Sequence, residues 1–387
     1  MAVTCARSDS GLMAPVWRRL QESPGIELEI CATGMHLSRR FGSTVDAIPE
    51  MGFAVGHRVT SVRDDDPAGP VGTALAIGRG VQGFSALWQR VAPDLVLVLG
   101  DRFDMFPAAA AALPFRIPVA HVSGGEVSYG AIDESLRHAI TKLSHLHFPC
   151  HELGARRIRA MGEEDWRVHV AGAPGLDAIR EIERDDPETL ARRFGFARGM
   201  PNILVTQHPV SLEWTETRAH ARALLAALEE TSEQIIVTWP NADPGADLLI
   251  EELEAFAARQ PDRVRLVQNA GQAGYLGLLE HCDLVVGNSS SGLVEAAAFA
   301  RPVVNVGGRQ EGRLAPRNVI SVDCEVGAIR AGITRALDPA FRRGLAGMPN
   351  PYGDGRAGKI IRGVLEDLPP REVLIHKRFR EPESDLA

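Results

Sequence analysis

The 27 residues from His121 to His147 carry three carboxylates (Glu126, Asp133 and Glu134), four histidines and one arginine, Arg137. Residues of these types can move protons. Carboxylates and histidines serve as general acids and bases, and a nearby arginine sets which of them stay charged. A second acidic stretch, GDRFD at Gly100 to Asp104, precedes them and adds Asp101, Arg102 and Asp104. Helix capping explains one acidic turn well, because acidic and hydroxyl residues are common at helix starts. It explains two successive acidic Gly loops less well.

The surrounding pattern places these groups. IPVA before His121 is a short apolar run of strand type, and GGEVSYG reads as a loop because its glycines permit unusual backbone angles. From Ala131 the spacing turns helical, with Ile132, Leu136, Ile140 and Leu143 on one face. Asp133 then falls in the first helical turn, where the macrodipole favours negative charge. GDRFD follows the strand-like run LVLVL in the same way. Asp101 and Glu126 therefore leave the carboxyl ends of strands and Asp133 opens the next helix, where open α/β sheets place their ligand crevice.

Apolar runs alternate with helical stretches along all 387 residues. AVTCA, LEICA, LVLVL, PVAHV and VHVAG form a first series, with a first helix from about Gly11. NILVT, IIVTW, VRLVQ, DLVVG and PVVNV form a second, with helices such as Arg218–Glu230 and Ser291–Ala300 between them. This predicts an α/β protein with two Rossmann-like parallel-sheet domains facing a cleft. The charged stretch from Leu176 to Met200 marks the junction. The expected division is 1–175 for the first domain, joined by a C-terminal helix at 356–387, and 176–355 for the second. The first run begins at residue 2 and predicts a short strand.

Composition excludes several classes. A formal charge of -8 argues against a nucleic-acid partner. No apolar run approaches the roughly 20 residues of a membrane span, and the N-terminus does not read as a signal peptide. Five scattered cysteines without CxxC spacing predict reduced thiols, a cytoplasmic location and no zinc site. His145 and His147 have the look of a metal pair, but they sit where a helix passes into a strand and read as structural. No metal and no cofactor is expected.

Three loops suit an anionic ligand. ARSDSG (Ala6 to Gly11), before the first helix, offers backbone N–H groups with Arg7, Ser8 and Asp9; an ordinary N-cap accounts for it as well. GNSSSGLVEA (Gly287 to Ala296) follows a strand and opens a helix. There Ser289, Ser290 and Ser291 can meet a diphosphate and Glu295 can accept ribose hydroxyls, the alternative being a serine-rich cap. NVGGRQEGR (Asn305 to Arg313) supplies Arg309 and Arg313, whose guanidinium forks match phosphate. His208 in TQHPV and Asn241 in WPNADPG end two further strands.

In this order and spacing GDRFD, HVSGGEVSYGAIDESLRHAITKLSHLHF, TQHPV, WPNADPG, GNSSSGLVEA and NVGGRQEGR resemble the hydrolysing UDP-N-acetylglucosamine 2-epimerases of bacterial sialic-acid pathways, and the epimerase half of the bifunctional animal enzyme. The resemblance covers nearly the whole chain. It implies a GT-B type fold, a UDP-sugar substrate, no metal or nicotinamide requirement, and a homodimer or homotetramer. It implies essential acids at Asp101, Glu126 and Asp133 and a nucleotide contact at His208, which is read as a cationic catalytic group stabilising the leaving diphosphate. Nucleotide-sugar contacts are implied at Arg7, Arg102, Asn241, Ser289, Ser290, Glu295 and Arg309; the residues themselves add Ser8, Asp9, Arg137, Ser291 and Arg313. The first loop departs from the family's usual Arg-Ala-Asp-Tyr-Gly, with Ser8 and Ser10 replacing Ala and Tyr. A 2,4-diacetamido-trideoxy sugar is therefore an alternative substrate. A non-hydrolysing epimerase, a GT-B glycosyltransferase and a non-catalytic nucleotide-sugar sensor are the other readings.

Overall fold

The computed structural model describes residues 1–67, 69–129, 132–210, 215–240 and 245–381. The chain divides into two compact units. The first comprises Met1–Val127, Ile132–Arg180 and Tyr352–Ala387; the second comprises Glu181–Pro351 with Ser128–Ala131.

The first unit contains β1 (Ala2–Thr4), β2 (Ile30–Thr33), β3 (Val55–Val59), β4 (Val96–Leu99), β5 (Val119–Val122) and β6 (Leu146–Phe148). They form one parallel sheet in the order β3-β2-β1-β4-β5-β6. The central strands are apolar runs buried along their whole length, as a sheet covered by helices on both faces requires. The second unit contains β7 (Asn202–Thr206), β8 (Gln234–Thr238), β9 (Val264–Val267), β10 (Leu284–Gly287), β11 (Val303–Val306) and β12 (Val319–Val322). Their order is β12-β11-β10-β7-β8-β9, again all parallel. Read from the other edge, it repeats the order of the first sheet. Both are doubly wound sheets, and strand order reverses between β1 and β4 and between β7 and β10. Ligand crevices form outside the carboxyl ends of strands at such points.

Several expectations are corrected. The first helix begins at Arg7, not near Gly11. Asp9, in its first turn, folds its carboxylate back onto the Cys5 thiol (2.9 Å) and the Cys5 N–H (3.4 Å), which winds the helix two residues after that cysteine. VHVAG is not a strand; it pairs with the sheet only through the His147–Val168 bridge. The last helix is two helices, Ala357–Glu366 and Arg371–Ile375, because Pro369 and Pro370 interrupt it. The stretch 176–200 is largely helical, holding most of Gly175–Glu181 and all of Pro187–Phe194.

His145 and His147 serve the sheet and the C-terminal segment. His145 Nδ1 accepts the Val119 N–H at 3.1 Å. His147 Nε2 meets Glu163, which also binds Lys142 and Lys377. Burial opposes the Glu163 charge, but these partners hold its carboxyl down at about 2. Buried Arg167 donates to the carbonyls of His145 and Leu374, so the C-terminal segment is pinned to the first unit. No helix among the described residues is long and apolar enough to cross a membrane.

Candidate active site

In the first unit the turns after β4 and β5 are fixed from beneath by His121. Its Nε2–H donates to the Gly100 carbonyl at 2.7 Å, and its Nδ1 lies 3.1 Å from the Thr141 hydroxyl. Burial pushes this ring down to about 3, so it is a neutral brace and not a proton carrier.

Arg137, from the helix Ile132–Leu143, is the hub above it, with its side chain only 1% exposed. It binds the Asp101 carboxylate, donates to Glu134 Oε2 at 2.7 Å and takes the Glu126 carbonyl at 3.0 Å. One guanidinium thus joins the ends of two strands to the start of a helix, as its planar fork allows. Sequence spacing showed Glu134 and Arg137 one turn apart, but the link to Asp101 is long-range and had no local signal. Asp133 stands beside this network. Burial raises its carboxyl above the ordinary value and Asp101 raises it further, against the pull of Arg102 and Arg137. A raised carboxyl beside a second carboxylate that is bound by a buried guanidinium is an arrangement acid–base chemistry can use.

Arg102 is held by the fully buried Asp104, at 3.0 and 3.4 Å. Burial works against its charge, but Asp104 and its neighbours offset this and raise its pKa. Gly34 permits the arrangement: it has φ +57°, and a Cβ there would lie 2.1 Å from Asp104 Oδ2. Arg7 and Ser8 are exposed at the helix start, while Asp9 is buried and occupied with Cys5.

In the second unit the hub is an amide. Asn288, just past β10, accepts the His208 N–H through Oδ1 at 2.7 Å and donates to the His208 carbonyl at 2.8 Å. It thereby ties the ends of β7 and β10 together. Its own carbonyl accepts from Arg309 at 3.2 Å and from Gln310 at 2.8 Å, which brings in the loop after β11. Arg313 donates to Gln310 Oε1 at 3.1 Å. The role of Asn288 was not legible, although it sits within the GNSSSG motif. Ser289 caps the helix Ser290–Ala298 by accepting the Ser291 N–H at 3.4 Å, so the capping reading holds for that serine. Ser290 and Ser291 form the first helical positions. On the same helix, loss of water around its carboxyl pushes Glu295 up to about 7.

His208 is buried, and burial together with Arg309 pushes it down to about 4. It is neutral near pH 7, so its expected help to a leaving anion is that of a neutral N–H donor and not of a cation. Asn241 lies outside the described residues.

One residue that sequence reasoning passed over completes the first cluster. His151, three residues past β6, places Nε2 at 2.9 Å from Glu126 Oε1. The signal was a polar residue at the end of the strand next to those bearing Asp101 and Glu126.

Residues 18–366 match the family model described as UDP-N-acetylglucosamine 2-epimerase. The chain is 38% identical over 376 residues to a UDP-N,N'-diacetylbacillosamine 2-epimerase (hydrolyzing) of Legionella pneumophila, covering 97% of each chain. It is 31% identical to a UDP-N-acetylglucosamine 2-epimerase of Neisseria meningitidis, covering 87% of this chain and 86% of the relative. Its fold matches the crystal structure of a UDP-GlcNAc 2-epimerase from Neisseria meningitidis bound to UDP-GlcNAc, with a TM-score of 0.81, 20% identity and coverage of 94% and 98%.

Proposed function

The chain belongs to the UDP-N-acetylglucosamine 2-epimerase family, and we propose that it is a hydrolysing 2-epimerase that releases free sugar and UDP from a UDP-linked 2-acetamido sugar. For UDP-N-acetylglucosamine the products are N-acetylmannosamine and UDP. The observation that carries this reading is the first-unit cluster, where Arg137 joins Asp101, Glu134 and the Glu126 backbone next to an Asp133 raised by burial. A transferase that only positions a nucleotide sugar has no need of several acids at adjacent strand ends.

The proton on sugar C2 is not acidic by itself. In the elimination step the C1–O bond breaks and its electron pair leaves with UDP. The C2 proton passes to a carboxylate and a C1=C2 double bond forms, giving a 2-acetamidoglucal. In the hydration step water adds to C1, its other proton is taken up by a carboxylate, and C2 is reprotonated from the opposite face. We assign Asp101, Glu126 and Asp133 to these transfers. We assign the nucleotide to the second unit: Glu295 accepts the ribose hydroxyls, and the serines of the Ser290–Ala298 helix start, Arg309 and the His208 N–H meet the diphosphate. Arg7, Arg102 and Asn241 are proposed as substrate contacts on the sequence pattern.

A 2,4-diacetamido-trideoxy sugar is a second reading of the substrate. It is supported by the 38% identity to an enzyme named for diacetylbacillosamine and by Ser8 and Ser10 in the first loop. Incubating the protein with each UDP-sugar alone and identifying products by mass spectrometry tests both readings. Release of free 2-epimerised sugar supports hydrolysis. A UDP-linked epimer would indicate the non-hydrolysing reaction, and an intact substrate would indicate a transferase or a sensor.

A further inference from the structure

We infer that His151 is a positioning residue for Glu126, aiming one oxygen of that carboxylate at the C2 proton of the sugar; the inference rests on the reading of Glu126 given above. β4, β5 and β6 are neighbours in the sheet. Asp101 follows the first and Glu126 the second, and His151 follows the third in the turn that begins the helix Glu152–Ala160.

His151 has two separate tasks for its two ring nitrogens. Nδ1 accepts the Gly154 N–H at 3.0 Å and caps the helix. That nitrogen therefore carries no proton, which places the ring proton on Nε2. Nε2 lies 2.9 Å from Glu126 Oε1. Both atoms are buried, and neither makes an aligned hydrogen bond to any described residue. Buried polar atoms normally have partners, and here the two lie within reach of each other. Capping alone does not require this ring, since a serine, threonine, aspartate or asparagine caps with one short side chain. The second nitrogen is what histidine adds.

The surroundings keep the pair in place. The Tyr352 ring stands edge-on to the imidazole, with centroids 5.1 Å apart at 76°. Gly125, at φ +76°, packs so closely on the capped turn that a Cβ would lie 2.3 Å from the Gly154 carbonyl oxygen. Arg157 donates to the Gly125 carbonyl at 3.1 Å and Arg137 to that of Glu126 at 3.0 Å. The Glu126 loop and the His151 turn thus form one interlocked piece. With Oε1 engaged by Nε2 at 2.9 Å, Oε2 is the oxygen left for the sugar. In the elimination step the C2 proton moves to Oε2, the C1=C2 bond forms and the diphosphate leaves with the C1–O electron pair. Nδ1 keeps the bond from Gly154 throughout.

Three substitutions separate the two tasks. His151→Asn keeps a capping side chain but is too short to reach Glu126. His151→Gln reaches Glu126 with an amide N–H but caps poorly. His151→Ala removes both. Steady-state rates are measured with UDP-N-acetylglucosamine, or with its 2,4-diacetamido-trideoxy counterpart if that is the better substrate, in C2-protiated and C2-deuterated forms, and thermal stability is recorded for each variant. His151→Asn is expected to lower kcat at least about tenfold, a part of what a general base contributes. KM should stay within about twofold and the isotope effect should increase. His151→Gln is expected to recover most of kcat with a lower Tm. Wild-type kcat in His151→Asn, with loss confined to the poorly capping variants, would leave His151 as a cap only and overturn the inference. If Glu126→Gln itself retains the wild-type rate, the reading of Glu126 fails instead, and the two failures are distinguishable.

Discussion

The two units build their sites at the same place in the same strand order, but from opposite materials. At the β4 and β5 ends the connecting group is a buried guanidinium, and its partners are carboxylates. At the β7 and β10 ends the connecting group is a neutral amide, and its partners are main-chain N–H and C=O groups. The first arrangement couples charges and stands beside a raised carboxyl, Asp133, which suits proton transfer. The second presents backbone dipoles, hydroxyls and a helix start, which suit an anion. The fold supplies the same switch point twice, and the residues at the strand ends differ in kind.

The sharpest way to break this contrast is to remove the two hubs. Arg137→Met should strand Asp101 and Glu134 without their buried cation. A loss of about 3–5 kcal/mol is expected in denaturant unfolding, with activity abolished. Asn288→Ala removes a neutral partner and should cost less, about 1–3 kcal/mol. Equal costs would mean that the two hubs do not differ in kind.

Next in size are the acids. Asp101→Asn, Glu126→Gln and Asp133→Asn should each lower turnover at least about 100-fold, with UDP affinity by calorimetry little changed. At least one should release a 2-acetamidoglucal, because blocked hydration strands the intermediate. A matching loss of UDP affinity in all three would erase the division of labour.

Glu295 tests the other side. Glu295→Ala should weaken UDP binding by about 1–3 kcal/mol, the scale of a charge-assisted hydrogen bond. Because its carboxyl is pushed up to about 7, it is protonated below that pH and must lose its proton to accept ribose hydroxyls as an anion. UDP affinity should therefore fall as pH drops through 7, by about tenfold near pH 6. Glu295→Gln should lose this dependence. A wild-type profile that matches the Gln variant would remove the carboxylate from the ribose. The smallest expected effect is that of EDTA, none, since Arg309 and the helix start are assigned the charge of the diphosphate. Lost activity restored by magnesium would contradict that assignment.

Much of this was legible in the sequence. Fully buried strands such as LVLVL and DLVVG stand out as unbroken apolar runs, and their order fixes the parallel alternation. β3 was not, because Gly, His and Arg interrupt its two valines and the strand is only partly buried. The strand-end positions of Asp101 and Glu126 were legible because glycine loops follow visible strands. Their partners were less so. Arg137 reaches Asp101 across 36 residues of sequence and Asn288 reaches His208 across 80, distances that only the folded sheet closes. The start of the first helix was misplaced because Asp9 looked like a cap; its carboxylate instead turns back to Cys5. Neutral His208 was read as a cation because burial and Arg309 are invisible in TQHPV.

The most direct test of the central claim is hydrolysis in heavy water. The first-unit acids are held to remove the C2 proton and return another to the opposite face. The free sugar released by the wild-type protein should then be C2-epimerised and carry one deuterium at C2, by mass spectrometry and NMR. Free sugar released without deuterium at C2 would contradict the account.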